Sequence, residues 1–160
     1  MGDVLVRKAG TEDRQLVERF MAGLQAHECT LEDNRAAPED STKAHVNHLL
    51  DDMARNNGCA FIAEIDGQPV GFVACSIDED NGAYVRPAHR RFGYINDIFV
   101  DENVRGAGVA DLLVEAAEVH CRAQGVNQMR LYALANNKLA RAYYEKSGWS
   151  LYEVSYRKPL

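Results

Sequence analysis

The chain has 160 residues, of which 46% are apolar and 26% charged; this suits one folded domain, taken as residues 1–160, and argues against disorder. The 18 Lys and Arg against 24 Asp and Glu leave a formal charge of −6, which argues against a sequence-blind nucleic-acid binder. No apolar run reaches membrane-spanning length and no basic-then-apolar leader follows Met1, so the expectation is a cytoplasmic protein with no membrane partner.

Val4-Leu5-Val6 before Gly10 reads as a short strand. Thr11 is a candidate N-cap, with Glu12 and Asp13 suited to the positive end of a helix, and Leu16, Val17, Phe20, Met21 and Leu24 recur at helical spacing. His27 to Ala37 is polar and aperiodic and reads as a loop. Pro38 opens a second helix with the stripe Val46, Leu49, Leu50 and Met53, closed by Asn57-Gly58. Cys59 to Ile65 and Val70 to Ile77 read as two strands joined by an Asp66-Gly67 hairpin turn, whose central positions tolerate positive φ. A charged connection, Asp78 to Arg91, leads to a strand over Tyr94 to Val100. A third helix follows, with the stripe Val109, Leu112, Leu113, Ala116, Ala117 and His120 and a stop at Gly125. Met129 to Leu134 is a strand, Lys138 to Lys146 a helix stopped by Gly148, and Trp149 to Arg157 a last strand. The order β-α-α-β-β-β-α-β-α-β is mixed α/β, with an antiparallel meander and a crossover helix.

Cys29, Cys59, Cys75 and Cys121 show no C-x-x-C spacing and read as small core residues. His45-x-x-His48 shares a helix face without acidic or thiol ligands beside it, so it reads as a solvated face, and no metal is expected.

The segment richest in chemistry runs from Val100 to Asp111. A strand ends, Gly106 and Gly108 follow, and a helix begins. Glycines there let backbone N–H groups converge, and the helix end adds free N–H groups and a positive dipole, which together make an anion cradle. Ala107 and Ala110 leave room for close approach. A P-loop is excluded because no Lys-Ser/Thr follows, and a dinucleotide fingerprint because Asp111 stands where Gly or Ala is required. A tight strand-to-helix turn is the plain alternative.

Arg105-x-x-Gly108-x-Ala110 resembles the Q/R-x-x-G-x-G/A signature of the GNAT superfamily, the acetyl-CoA-dependent N-acetyltransferases. Asn137 to Trp149 resembles that family's N-x-x-A-x-x-x-Y-x-x-x-G-F segment, with Trp149 in the Phe place, and the order of elements is similar throughout. The resemblance implies a mixed, mostly antiparallel central sheet and acetyl-CoA as cosubstrate. It implies that backbone groups of Arg105, Gly106, Ala107, Gly108, Val109, Ala110 and Asp111 hold the pyrophosphate. Ile98, Phe99 and Val100 would pair with the pantetheine arm as an added strand, and a backbone N–H near Phe99 would meet the oxyanion.

The resemblance further implies that Asn137 bonds the coenzyme and that Tyr144 protonates the departing thiolate; the plain alternatives are an N-cap and a core aromatic. Tyr143 reads as core. Asn96 stands where the spermidine/spermine branch carries Glu, and an amide accepts no proton, so Asp97 is the carboxylate left as base or substrate-orienting group, beside a structural role or a water relay. Glu28 and Glu32 border the implied acceptor site and suit an ammonium group, or form a solvated acidic loop. Arg86, His89, Arg90 and Arg91 form a basic cluster that meets the adenosine phosphates or an acidic part of a substrate, or is a solvated loop. The expected reaction is direct attack of a primary amine, small amine or polyamine first, on acetyl-CoA in a ternary complex. A protein or peptide N-acetyltransferase and a non-catalytic coenzyme A sensor are the alternatives, and a homodimer stays open.

Overall fold

The computed structural model describes residues 2–160. Five strands form one sheet in the order β1-β2-β3-β4-β5: β1 Val4–Lys8, β2 Cys59–Ile65, β3 Gln68–Glu79, β4 Arg91–Val100 and β5 Met129–Arg130. β1 to β4 pair antiparallel in succession, and β5 runs parallel to β4 after a crossover. The helices are α1 Arg14–Cys29, α2 Pro38–Arg55, α3 Val109–Ala123 and α4 Lys138–Lys146. The meander and the crossover therefore follow the sequence expectation.

Each sheet face has its own core, as alternating side chains require. On one face α1 and α2 bring Val17, Phe20, Met21, Val46 and Leu49 against Ala60, Ile62, Phe72 and Ala74. Phe20 stacks on Phe72 with centroids 5.7 Å apart, and burying such a ring contributes about 2–3 kcal/mol. On the other face α3 brings Val109, Leu113, Val114, Ala117 and Cys121 against Cys59, Val73, Cys75 and Ile95. The hairpin between β2 and β3 turns at Asp66 and Gly67, both at positive φ (51° and 74°), as the sequence expects.

Several sequence expectations need correction. Thr11 caps nothing; a short 3₁₀ turn covers Thr11–Asp13, and the buried Asp13 carboxylate takes the Gly10 N–H at 2.8 Å and both ends of the Arg7 guanidinium at 2.7 and 2.8 Å. That ion pair outcompetes a hydroxyl cap. His27, Glu28 and Cys29 are the last turn of α1 and not loop. The buried stripe of α3 follows 109, 113, 117 and 121, leaving Leu112 39% exposed.

At the chain's end the expected strand over Trp149 to Arg157 does not form, and the strand expected to reach Leu134 stops at Arg130. The reason lies in β4. Its pairing with β5 covers only Gly93↔Met129 and Tyr94↔Arg130, so no ladder continues outward to support a further strand. Arg130 is held there by a bidentate bond to Asp80 and by the Phe92 ring, 3.7 Å from centroid to guanidinium carbon.

Candidate active site

Where β4 and β5 part, β4 presents an outer backbone edge from Ile95 to Val100 that no strand pairs among the described residues. Opposite Ala74 and Cys75 of β3 the register skips: Ala74 faces Asp97 and Cys75 faces Ile95, which leaves Asn96 as a bulge residue. The extra residue re-aims the side chains. Regular alternation would send Asn96 and Asp97 to opposite faces, yet both meet α2. Asn96 accepts a bond from Ser76 Oγ at 3.1 Å and donates to Asp52 Oδ2 at 3.3 Å, while Asp97 meets His45.

The free edge leads to the glycine turn. Gly106 and Gly108 sit at φ 83° and 79°, the left-handed region that side chains rarely enter. A Cβ at either would meet nothing within 4 Å, so backbone conformation, not crowding, calls for glycine, and the space above the turn is open. The N–H groups of Gly106, Gly108, Val109, Ala110 and Asp111 have no acceptor among the described residues; the first helical bond is Leu112 N–H to Gly108 O at 3.2 Å. Five donors without an acceptor thus lie at or just before the positive end of a 15-residue helix. Arg105 folds back over the turn, donating to Val100 O and Glu102 Oε1, both at 3.3 Å. The Asp111 carboxylate accepts the Tyr143 hydroxyl at 2.9 Å.

Between α1 and the end of β4 lies a groove of about 350 Å³ lined by Gly23, Ala26, His27, Thr30, Phe99, Glu102 and Arg105. Gly23 is required for it: a Cβ there would stand 2.7 Å from the Phe99 ring. The groove runs from Phe99 on β4 to Arg105, the residue before the glycine turn, with Phe99 and Ala26 in its wall and the Arg105–Glu102 pair at its end.

His45 on α2 is the residue that sequence reasoning missed. Read as part of a solvated face, it instead places Nε2 3.1 and 3.2 Å from the two Asp97 oxygens. Asp97 is 10% exposed and His45 47%, so the acid is sheltered and the imidazole reaches solvent. The hydrogen bond to Asp97 raises the His45 pKa above its ordinary 6.5, against the opposing effect of burial, with smaller help from Asp97 and Glu28 charge. A signal was present: His45 and Asp52 stand seven residues apart, two turns of one helix face, and each meets one of the paired polar residues of β4.

Tyr144 on α4 packs edge-on against Tyr143 and Trp149, with centroids 5.4 and 6.0 Å away. Burial pushes its phenol up to about 12, and its hydroxyl has no partner among the described residues. Tyr143, expected in the core, is half-buried and bound to Asp111; burial first and that bond second push it up to about 12. Asn137 is the N-cap of α4: its Oδ1 accepts the Ala140 N–H at 3.1 Å.

The remaining expected residues are occupied. Glu28 lies 3.6 Å from the Arg35 guanidinium. Glu32 takes the Asn136 amide at 2.8 Å and also pairs with Arg157, tying the loop before α2 to the approach to α4 and to the chain's end. Both Glu32 carboxylate oxygens are thus engaged by protein groups. The basic cluster falls at the start of β4, a strand-length of about 30 Å from the glycine turn, too far for one ligand to bridge at its phosphates.

Residues 21–149 match the Acetyltransferase (GNAT) family. The chain belongs to that family. An uncharacterized N-acetyltransferase of Methanocaldococcus jannaschii is 31% identical over 102 residues, which are 64% of this chain and 43% of that protein, so the chain matches less than half of this relative's length. Among solved structures, a mutant of the BH1408 protein of Bacillus halodurans superposes with a TM-score of 0.83 at 20% identity, covering 98% of this chain and 99% of the other. AAC(6')-Iy, solved with the bisubstrate analog CoA-S-monomethyl-acetylneamine, gives a TM-score of 0.68 at 20% identity, covering 99% and 100%. These two likenesses concern the fold: the GNAT sheet with its helices.

Proposed function

We propose that this protein transfers the acetyl group of acetyl-CoA to the primary amine of a small cationic acceptor, with a diamine or polyamine the first to try. The observation that carries the reading is the His45–Asp97 pair on the splayed part of β4, the edge that leads to the N–H cradle before α3. The cradle's five unpartnered N–H groups suit a pyrophosphate, and the free β4 edge suits the amides of a pantetheine arm, side-chain identity there mattering little. A neighbour of the same fold bound to a coenzyme A–amine conjugate supports the choice of a small amine.

The acceptor arrives as an ammonium with a pKa of about 10.4 and needs a lone pair to attack. Asp97 takes the Nε2–H of neutral His45 and fixes that tautomer, which leaves the Nδ1 lone pair to receive the ammonium proton. The amine nitrogen then bonds to the thioester carbonyl carbon, and the oxyanion takes a backbone N–H near Phe99. As the C–S bond breaks, the sulfur takes a proton from Tyr144. The second nitrogen proton leaves as the amide forms and restores the phenol through solvent. With its pKa raised to about 12, Tyr144 stays protonated at neutral pH and has a proton to give.

Direct transfer is favoured over an acetyl-cysteine intermediate. Cys59, Cys75 and Cys121 are buried in the core under α3, and the Cys29 sulfur faces the Ala36 carbonyl oxygen at 3.2 Å. Initial-rate kinetics with acetyl-CoA and a diamine test this: a ternary complex gives intersecting double-reciprocal lines, and parallel lines would overturn direct attack.

A further inference from the structure

The α3 core holds a group of side chains that this chemistry does not use. Cys59 of β2 and Cys75 of β3 are directly opposite in the antiparallel register, and both sulfurs turn towards α3. The Sγ atoms of Cys59 and Cys75 and one ring nitrogen of His120, on α3, all lie within 4.8 Å of one another. The Cys75 thiol is bracketed by those of Cys59 and Cys121. Gly93 on β4 makes the space for the last of these: a Cβ there would stand 2.5 Å from Cys121 Sγ.

We propose that Cys59, Cys75 and His120 form a metal site for a soft divalent ion, Zn²⁺ first, with Cys121, the neighbour of Cys75 that lies outside this close trio, as the nearest donor for the fourth position. Thiolates and an imidazole are ligands that Zn²⁺ takes in structural sites. His120 carries the feature that separates such a site from an ordinary apolar core. Its Nε2 lies 2.8 Å from the Asn57 carbonyl oxygen, a contact that requires Nε2–H and leaves Nδ1 with its lone pair. A ligating histidine is commonly oriented in that way, by a backbone carbonyl on its other nitrogen.

The geometry is within reach. Tetrahedral Zn–S bonds of about 2.3 Å set sulfurs about 3.8 Å apart, so drawing Cys59, Cys75 and the His120 nitrogen together takes shifts of about 1 Å, and Cys121 needs a further rotamer change to join them. The three cysteines are buried, while His120 is partly exposed and marks the path of entry beside the Asn57 turn. A ligating thiol binds as thiolate, so metal binding expels one proton from each thiol that ligates, taken up by the buffer. The ion would join β2, β3 and α3 and tie them through Asn57 to the end of α2, on the sheet face opposite the His45–Asp97 pair, so its expected effect is on stability.

The test uses the reduced full-length chain, stripped with a chelator and titrated with Zn²⁺, and with Co²⁺ as a spectroscopic substitute. The expected result is one equivalent bound with proton release, a thiolate-to-cobalt charge-transfer band, and a raised Tm. His120→Gln, at a partly exposed position that spares the core, should weaken binding at least tenfold, Cys59→Ser should weaken it likewise and reduce the intensity of the band, and Cys29→Ser should change neither. Absence of saturable binding would overturn the proposal. So would a cobalt spectrum without the thiolate band, wild-type affinity in both His120→Gln and Cys59→Ser, or loss of binding in Cys29→Ser. No acetyl-CoA is present, so the outcome is independent of the transferase reading.

Discussion

The imidazole Nε2 of His45 stands almost equidistant, at 3.1 and 3.2 Å, from the two carboxylate oxygens of Asp97. One residue comes from α2 and the other from the bulged part of β4, so the pair exists only because the bulge turns Asp97 to the α2 face. A carboxylate sheltered to 10% exposure with its one partner at the surface is arranged to hold an imidazole in a chosen tautomer.

His45→Gln should therefore lower kcat/KM by about 10²-fold and remove the acidic limb of its pH profile. In the wild type that limb should rise through a value above 6.5, since His45 acts as base only when neutral. The stability effect runs the other way. Because the folded pKa is raised, the ion pair stabilises fully below pH 6.5 and its contribution is lost as pH rises through the folded value. Denaturant unfolding of wild type and His45→Gln should differ most at low pH and converge above it. An unshifted limb in the variant would return His45 to a surface role.

Tyr144→Phe keeps the ring that packs on Trp149 and deletes only the hydroxyl. With chemistry rate-limiting, kcat should fall about tenfold or more, worth about 1.4 kcal/mol, at nearly unchanged acetyl-CoA affinity. Tyr143→Phe breaks the bond to Asp111 and should cost stability of about 0.5–1.5 kcal/mol while leaving kcat near wild type. Reversal of the two kcat effects would move the acid to Tyr143.

Gly108→Glu sets a side chain and a negative charge over the five free N–H groups, at a φ of 79° that costs a non-glycine residue about 1 kcal/mol or more. Calorimetry should show acetyl-CoA affinity reduced at least tenfold in a still-folded protein. Unchanged affinity would take the pyrophosphate elsewhere.

Asp13→Asn tests the anchor between β1 and α1. The Arg7 guanidinium holds the Asp13 carboxyl down at about 2, below its ordinary 3.8. A lowered folded pKa stabilises above the ordinary value and is lost as pH falls through the folded one. The variant should lose about 1–3 kcal/mol at neutral pH and show a smaller loss of stability between about pH 4 and pH 2 than wild type. Equal acid sensitivity would mean that other carboxylates dominate.

The fold was legible in the sequence wherever a local signal was strong. Cys59–Ile65 and Lys138–Lys146 have the bounds that their patterns predict, and Asp66-Gly67 turns as its dipeptide requires. The glycine turn was legible because a strand, two glycines and a helix in succession leave the backbone few options. The far end of the sheet was not: Trp149 to Arg157 alternates like a strand, but β4 and β5 part after two rungs, a fact of tertiary geometry. Of the site, Asp97 was legible as the carboxylate on its strand, and His45 was not, because its partner lies 52 residues away. Ile95-Asn96-Asp97-Ile98 did carry a trace of the bulge, since two polar residues between apolar ones break the period of two.

The central claim, acetyl transfer from acetyl-CoA to a small amine at the β4 edge, is tested most directly by free coenzyme A thiol release across a panel of diamines, polyamines, aminoglycosides and peptide N-termini. The expected result is amine-dependent release, greatest with small polycationic acceptors, lost in Gly108→Glu and strongly reduced in His45→Gln. Saturable acetyl-CoA binding with no release above background on any amine would contradict it, and release confined to peptide N-termini would contradict the assignment of the acceptor.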